Sequence, residues 1–192
     1  MIDWKPIQQR LGLKVDGVAG PKTYGALFAG MDAKADLAAA LGAAAARYMP
    51  QYGIDTALEI AHFLAQATHE TGAFRYLTEI WGPTPAQRGY EGRADLGNNQ
   101  PGDGRRFLGR GIFQLTGRAN YALYGLENTP EKAAEPDTAM MIACDYWRTR
   151  RIGDAANADD VRTVTRKING GFNGLDDRIV LLRKAKGLMG VS

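Results

Sequence analysis

Cysteine is nearly absent: Cys144 is the single one in 192 residues. No intrachain disulfide can form, so the fold must stand without covalent cross-links, as it would in a reducing compartment. In "MMIACDYW" that cysteine reads as a small buried hydrophobe. No apolar run approaches the roughly eighteen residues of a spanning helix. The start, "MIDWKPIQQR", carries no uninterrupted apolar stretch of the signal-peptide kind. The expectation is a chain made as a soluble cytoplasmic protein, needing another agent to pass the inner membrane. Histidine is scarce too, with only His62 and His69. A zincin helix needs a second histidine three residues after the glutamate of "HE", and Ala73 stands there. No G-x-S-x-G elbow occurs, and "GDGRRFLGRG" does not fit a dinucleotide loop. No metal site and no organic cofactor are expected.

What is present describes a globular protein. Hydrophobic residues make up 45% and charged ones 23%, enough apolar material for one real core in one main domain. The net charge of +3 favours anionic partners and leaves nucleic acid, acidic glycans and anionic membranes open. Near the C-terminus, "RIVLLRKAKGLMG" is basic and amphipathic, either a solvated face or a surface for transient contact with anionic wall or membrane.

Residues 1 to 30 form a miniature of their own. Trp4, Ile7 and Leu11 mark one helical face, Asp16 and Gly17 supply a reversal, and Pro21 opens a second helix with Tyr24, Leu27 and Phe28 on its apolar side. Such a hairpin is too small to fold alone and should lean on the rest. An alanine-rich helix over residues 33 to 48 follows, then a helix through "GIDTALEIAHFLAQATHE" with Asp55 as its expected N-cap. Residues 82 to 111 are dense in Gly, Pro, Asn and Asp and read as a long functional loop. Helical patterns return in "RANYALYG", "PDTAMMIACDYWRTRR", "DDVRTVTRKING" and "LDDRIVLLRKAKGLM". Extended character is confined to "GIFQLT", so the fold is expected to be mainly α with a small β element.

Strong chemistry is left to carboxylate pairs. Glu70 ends an apolar helix, where burial favours a carboxyl that holds its proton. Glu79 lies nine residues on, about 13 Å along one continuous helix, too far to share a small substrate. A break at Gly72 would turn "FRYLTEIW" back and set Glu79 across a cleft from Glu70, as glycoside hydrolysis requires. Glu91, in "GYEGR", is a rival base.

"HETGAFRYLTE", "YEGRADLGNNQPGDGRRFLGRGIFQLTGRANYALYG" and "INGGFNGLDDR" together resemble family 19 glycoside hydrolases, in particular the compact endolysins of phages and prophages. The resemblance covers about residues 55 to 180 and implies a lysozyme-like, mainly α fold that cleaves β-1,4 links between N-acetylated sugars. The disulfides of the family's plant chitinases are missing, and the loops are shorter. Separately, "LGLKVDGVAGPKTYGAL" resembles the core of a peptidoglycan-binding repeat, about half of which is present. The implied organisation is a binding-like unit over residues 1–30 and a hydrolase domain over 31–192.

Carried onto these positions, the family pattern makes Glu70 the general acid, Glu79 the general base of an inverting reaction, and Thr116 the hydroxyl that helps hold the attacking water. Gln114, Asn120, Tyr121 and Asn169 match sugar-contacting positions. Arg178 matches an arginine near both carboxylates, expected to help keep Glu79 ionised. Trp81 and Tyr90 are candidates for stacking on sugar faces or for anchoring the loop, and His69 is a supporting residue. The implied function is an endolysin: a monomer that binds peptidoglycan glycan strands and no nucleic acid, waits in the host cytoplasm and acts at the wall after a holin-type pore opens. A chitinase shares the same groups, and a non-catalytic wall-binding protein is the alternative from another class.

Overall fold

Two short helices, α1 (Trp4–Arg10) and α2 (Pro21–Gly30), open residues 2–192, the part of the chain described by the computed structural model. The turn between them is organised by buried Gln8. Its Oε1 accepts from the amides of Asp16 and Gly17 at 3.0 and 2.8 Å, and its Nε2 donates to Asp16 Oδ1 at 2.8 Å. The hairpin does lean on its neighbours. Ile7, Tyr24, Leu27, Phe28 and Met31 belong to the same apolar core as Leu41, Phe63 and Trp147, so residues 1–30 and 31–192 share one interior.

Helix α3 (Ala35–Gln51) runs three residues past the alanine-rich segment and takes Pro50 into its last turn. It crosses α2 backbone against backbone, because a Cβ on Gly42 would lie 2.3 Å from Gly25 N and 2.5 Å from Gly25 Cα. Only a residue without a side chain permits that approach. Gly42→Ala is therefore expected to destabilise the protein by about 1–3 kcal/mol, the range for an overpacked core, seen as a lower Tm in a thermal melt.

Helix α4 (Ala57–Glu70) is the central rod, buried from Glu59 through Thr68. Its N-cap is Thr56 rather than Asp55, with the threonine hydroxyl accepting from the Glu59 amide at 3.1 Å. Short helices α5 (Pro85–Arg88), α6 (Asp103–Arg106) and α7 (Arg118–Ala122) follow, then α8 (Pro136–Thr149), α9 (Ile152–Asn157), α10 (Val161–Asn169) and α11 (Leu175–Met189). Helix α11 lies along α4, and Trp147 of α8 donates its indole N–H to buried Glu59 at 2.8 Å. Burial pushes the Glu59 carboxyl above its ordinary range.

Several expectations need correction. The segment 82–111 is no structureless loop: α5, α6 and a 3-10 turn at Ala94–Leu96 divide it, each too short to show a helical period. The β element at "GIFQLT" shrinks to two isolated bridges, Thr78–Arg110 and Arg110–Leu115. The basic run of α11 is divided: Arg178 is buried, Lys184 pairs at the surface with Asp32 at 2.6 Å, Lys186 pairs with Asp159 at 2.5 Å, and Arg183 is exposed.

Candidate active site

After Glu70 the chain does reverse. Thr71 turns its hydroxyl back onto Ala67 O at 2.6 Å and accepts from the Phe74 amide at 2.8 Å. Gly72, Ala73 and Phe74 all have positive φ, at 57°, 59° and 61°. Two of these are not glycine, and each costs about 1–2 kcal/mol in that region. Burial of the Phe74 ring, edge-on to Phe28 at 5.4 Å, offsets the cost. The returning strand of chain then binds Gly109, with the Glu79 amide donating to its carbonyl at 2.8 Å.

Glu79 is half-buried and meets only donors: Gln87 Nε2 at 2.9 Å and the Tyr90 hydroxyl at 3.4 Å on Oε1, and the Gly109 amide at 3.0 Å on Oε2. That suits an acceptor-only carboxylate. Burial, then the Glu79 charge, raises the Tyr90 phenol above its usual range, so it remains a donor. Gln87 is buried and is itself fixed by a capping box with Thr84 at the start of α5. The sequence carries that signal, Thr84 followed three residues later by Gln87. Tyr90 is thus an anchor of Glu79.

Gly109 marks where the groups converge. A Cβ there would lie 2.6 Å from Gln114 Oε1, 3.2 Å from Glu79 Oε2 and 3.3 Å from Thr116 Oγ1. The missing side chain lets three oxygens close on one side of the Gly109 backbone. Gly109→Ala is expected to keep the fold and lower kcat by about 10²-fold, the cost of displacing reacting groups by an ångström, as measured by release of reducing ends.

A cleft of about 590 Å³ runs past these residues, with Glu70, Gln114, Thr116, Asn120, Tyr146 and Asn169 among its walls. Glu79 does not face the main volume. It joins the group from behind Gly109, and Gln114 and Thr116 connect it to the cleft that Glu70 lines. Gln114 is held at φ 54° by its own amide on Gly111 O at 2.9 Å, and Asn120 donates to Thr116 O at 2.7 Å.

Glu70 is not in the apolar setting that its helix suggests. Its Oε1 lies 2.5 Å from Arg178 Nη2, the acid 19% exposed and the arginine 1%. Arg178 also donates to Gln66, one turn before Glu70 on α4, and to Asn173 O at 3.2 Å. The expectation that Arg178 supports Glu79 is therefore corrected: its charge is spent on Glu70. Gln66 was legible as a neighbour of Glu70, since residues four apart share a helix face.

The remaining candidates separate. Tyr121 is fully buried, with its hydroxyl donating to Leu108 O at 2.7 Å and accepting from Arg110 at 2.9 Å, so its ring belongs to the interior and touches no cleft. His69 reaches Asp177 Oδ2 at 2.6 Å and packs on Gly174, which fixes the start of α11 beside Arg178. Trp81 is half-buried and lies outside the cleft walls. Glu91 accepts from the amides of Gly102 and Gly104 at 2.6 and 2.8 Å, so the rival base is a clamp on α6.

No family model matches the chain. A curated relative from Haemophilus influenzae, a glycosyl hydrolase family 19 domain-containing protein, is 34% identical over 158 residues, covering 66% of this chain and 78% of the relative. The chain belongs to glycoside hydrolase family 19. Endochitinase CHI of Arabidopsis thaliana is 34% identical over 114 residues, 55% of this chain, which spans only 41% of that protein. Among solved structures, a bacterial family 19 chitinase superposes with a TM-score of 0.68 at 24% identity, over 87% of this chain and 94% of that one. Chitinase C from Streptomyces griseus gives 0.64 at 22% identity, over 80% and 69%. Those two likenesses speak for the fold, the lysozyme-like helical arrangement of the family. The family 19 membership makes the chain a glycoside hydrolase, which sets aside the non-catalytic alternative.

Proposed function

We propose that this family 19 hydrolase cuts β-1,4 links of the bacterial peptidoglycan backbone by an inverting acid/base reaction, in the manner of an endolysin. The observation that carries the reading is the convergence of Glu79, Thr116 and Gln114 oxygens at Gly109, where Thr116 and Gln114 also line the cleft that holds Glu70. Water held by the Glu79, Thr116 and Gln114 group attacks the anomeric carbon, forming a C1–O bond as the glycosidic C1–O4 bond breaks. One water proton passes to Glu79. The Glu70 proton passes to the leaving O4. Arg178 occupies Oε1 of Glu70, so Oε2 is the oxygen left to hand a proton on, and the carboxylate left after transfer is stabilised by the arginine. Asn120 and Asn169, on the cleft walls, offer donors and acceptors to acetamido groups.

A second reading, hydrolysis of chitin, is favoured by the names of the plant relatives, which are endochitinases. Turbidity loss of outer-membrane-permeabilised bacteria, compared with reducing ends released from chitin, ranks the two. Peptidoglycan is predicted to be the better substrate, and clearance by the Glu70→Gln variant at the wild-type rate would remove Glu70 as the acid. Mass spectrometry of the fragments names the bond from the sugar at the new reducing end. Within the same reading the protein waits in the host cytoplasm for a holin-type pore, and the Gln8-centred hairpin of residues 1–30 adds affinity for the wall.

A further inference from the structure

The cleft extends beyond the reacting carboxylates to a wall made by the last turn of α8 and the end of α10, where Asp145, Tyr146, Thr149, Arg150 and Asn169 face the same space. Tyr146 lines the same cleft as Glu70, and burial raises its phenol. On the Tyr146 ring lies the guanidinium of Arg150, 4.4 Å from the ring centroid. A positive charge stacked on an aromatic ring thus stands in the wall of the cleft that Glu70 lines.

Most other charges at this end are already answered. Asp145 holds Arg148 at 2.9 Å and the Tyr124 hydroxyl at 2.9 Å. Arg110, the second arginine of the cleft, gives its Nη1 to Arg106 O at 3.0 Å and to Tyr121 at 2.9 Å. Lys167 turns away to the carbonyls of Arg150 and Arg151 at 2.8 and 3.2 Å, which fixes the backbone that carries Arg150. Among the described residues, the Arg150 guanidinium alone of these has no carboxylate and no hydrogen-bond acceptor, only an aromatic face beneath it. Stacking holds a planar guanidinium flat and leaves its edge donors free.

We propose that Arg150 is a specificity-determining residue of this cleft, pairing with a free carboxylate of the peptide that is amide-linked to the lactyl group on every second sugar in peptidoglycan. The proposal rests on the peptidoglycan reading of the site and adds to it the group that separates the two substrates. Chitin carries acetamido groups and hydroxyls but no carboxylate. Arg150 offers it nothing a neutral donor would not, whereas a peptide-substituted strand brings an anion to a preset, bidentate partner.

The test compares the wild-type chain with Arg150→Gln and Arg150→Lys on three substrates: purified peptidoglycan, the same peptidoglycan with its carboxyl groups amidated, and a chito-oligosaccharide. The Arg150 side chain is exposed and makes no hydrogen bond within the protein, so matching thermal melts should show that all three proteins are folded. Wild type is expected to cut native peptidoglycan about tenfold better in kcat/KM than the amidated form, the scale of one charge-assisted hydrogen-bonded pair. Arg150→Gln should lose that preference, mainly through KM, with Arg150→Lys intermediate, and its loss on the chito-oligosaccharide should be much smaller. Equal losses on native and amidated peptidoglycan, or a wild type indifferent to amidation, would overturn the assignment while leaving peptidoglycan hydrolysis intact. Failure of wild type to release any fragment from native peptidoglycan while cutting the chito-oligosaccharide would sink the underlying reading, and this assignment with it.

Discussion

Glu79→Ala is expected to lower kcat by about 10²–10⁴-fold, the usual worth of a positioned general base, with KM changed far less. The reason is local. The carboxylate is held by donors from Gln87, Tyr90 and Gly109, none of which can take a proton from water at neutral pH, and Thr116 and Gln114 can position that water without activating it. Removing Glu79 leaves the binding walls, Asn120 and Asn169 among them, in place. The measurement is steady-state hydrolysis of a chito-oligosaccharide or of glycan strands. A variant with near-normal kcat would mean that some other group activates the water.

Arg178→Met is expected to damage both folding and turnover. The guanidinium is buried at 1% exposure and joins Glu70 and Gln66 on α4 to Asn173 before α11. Taking away one member of a buried ion pair leaves the other charge uncompensated, typically at about 3–5 kcal/mol. The pair variant, Glu70→Gln with Arg178→Met, removes both charges and should recover much of that stability. It should recover none of the activity, because the proton donor is gone. Arg178→Lys is no substitute: a single ammonium cannot span the carboxylate, the amide and the carbonyl that the planar fork reaches together. Chemical denaturation and initial rates on the same four proteins separate the structural from the chemical share.

Local signals in the sequence located much of this architecture. The periodicity of "LDDRIVLLRKAKGLM" corresponds residue for residue to α11, and the apolar face of residues 57–70 together with Gly72 marks both the central helix and its break. These are features that a chain determines within a few turns. What was not legible depends on partners far away in sequence. Arg178 on α11 chooses Glu70 over Glu79 because α11 lies along α4, and nothing in "DDRIV" encodes that crossing. Tyr121 looked like a sugar contact and is instead an interior residue, because its helix turns that ring toward Phe107 and Leu108. Single-turn helices such as α5 and α6 escape any reading of period, although the capping box at Thr84 and Gln87 gave a clue to the first. Gly109 could not be singled out among 24 glycines, since its importance lies in what surrounds its empty side.

In the proposed reaction water activated by Glu79 attacks opposite the donor Glu70, and that geometry would fix the stereochemistry of the product. Proton NMR of a chito-oligosaccharide digest, recorded before mutarotation equilibrates the new reducing ends, reads it directly. Inversion of the β-link predicts that the α-anomer appears first and relaxes toward the equilibrium mixture. If the β-anomer appeared first, attack would have come through a covalent or substrate-assisted intermediate, and the roles given to Glu79, Thr116 and Gln114 would be wrong.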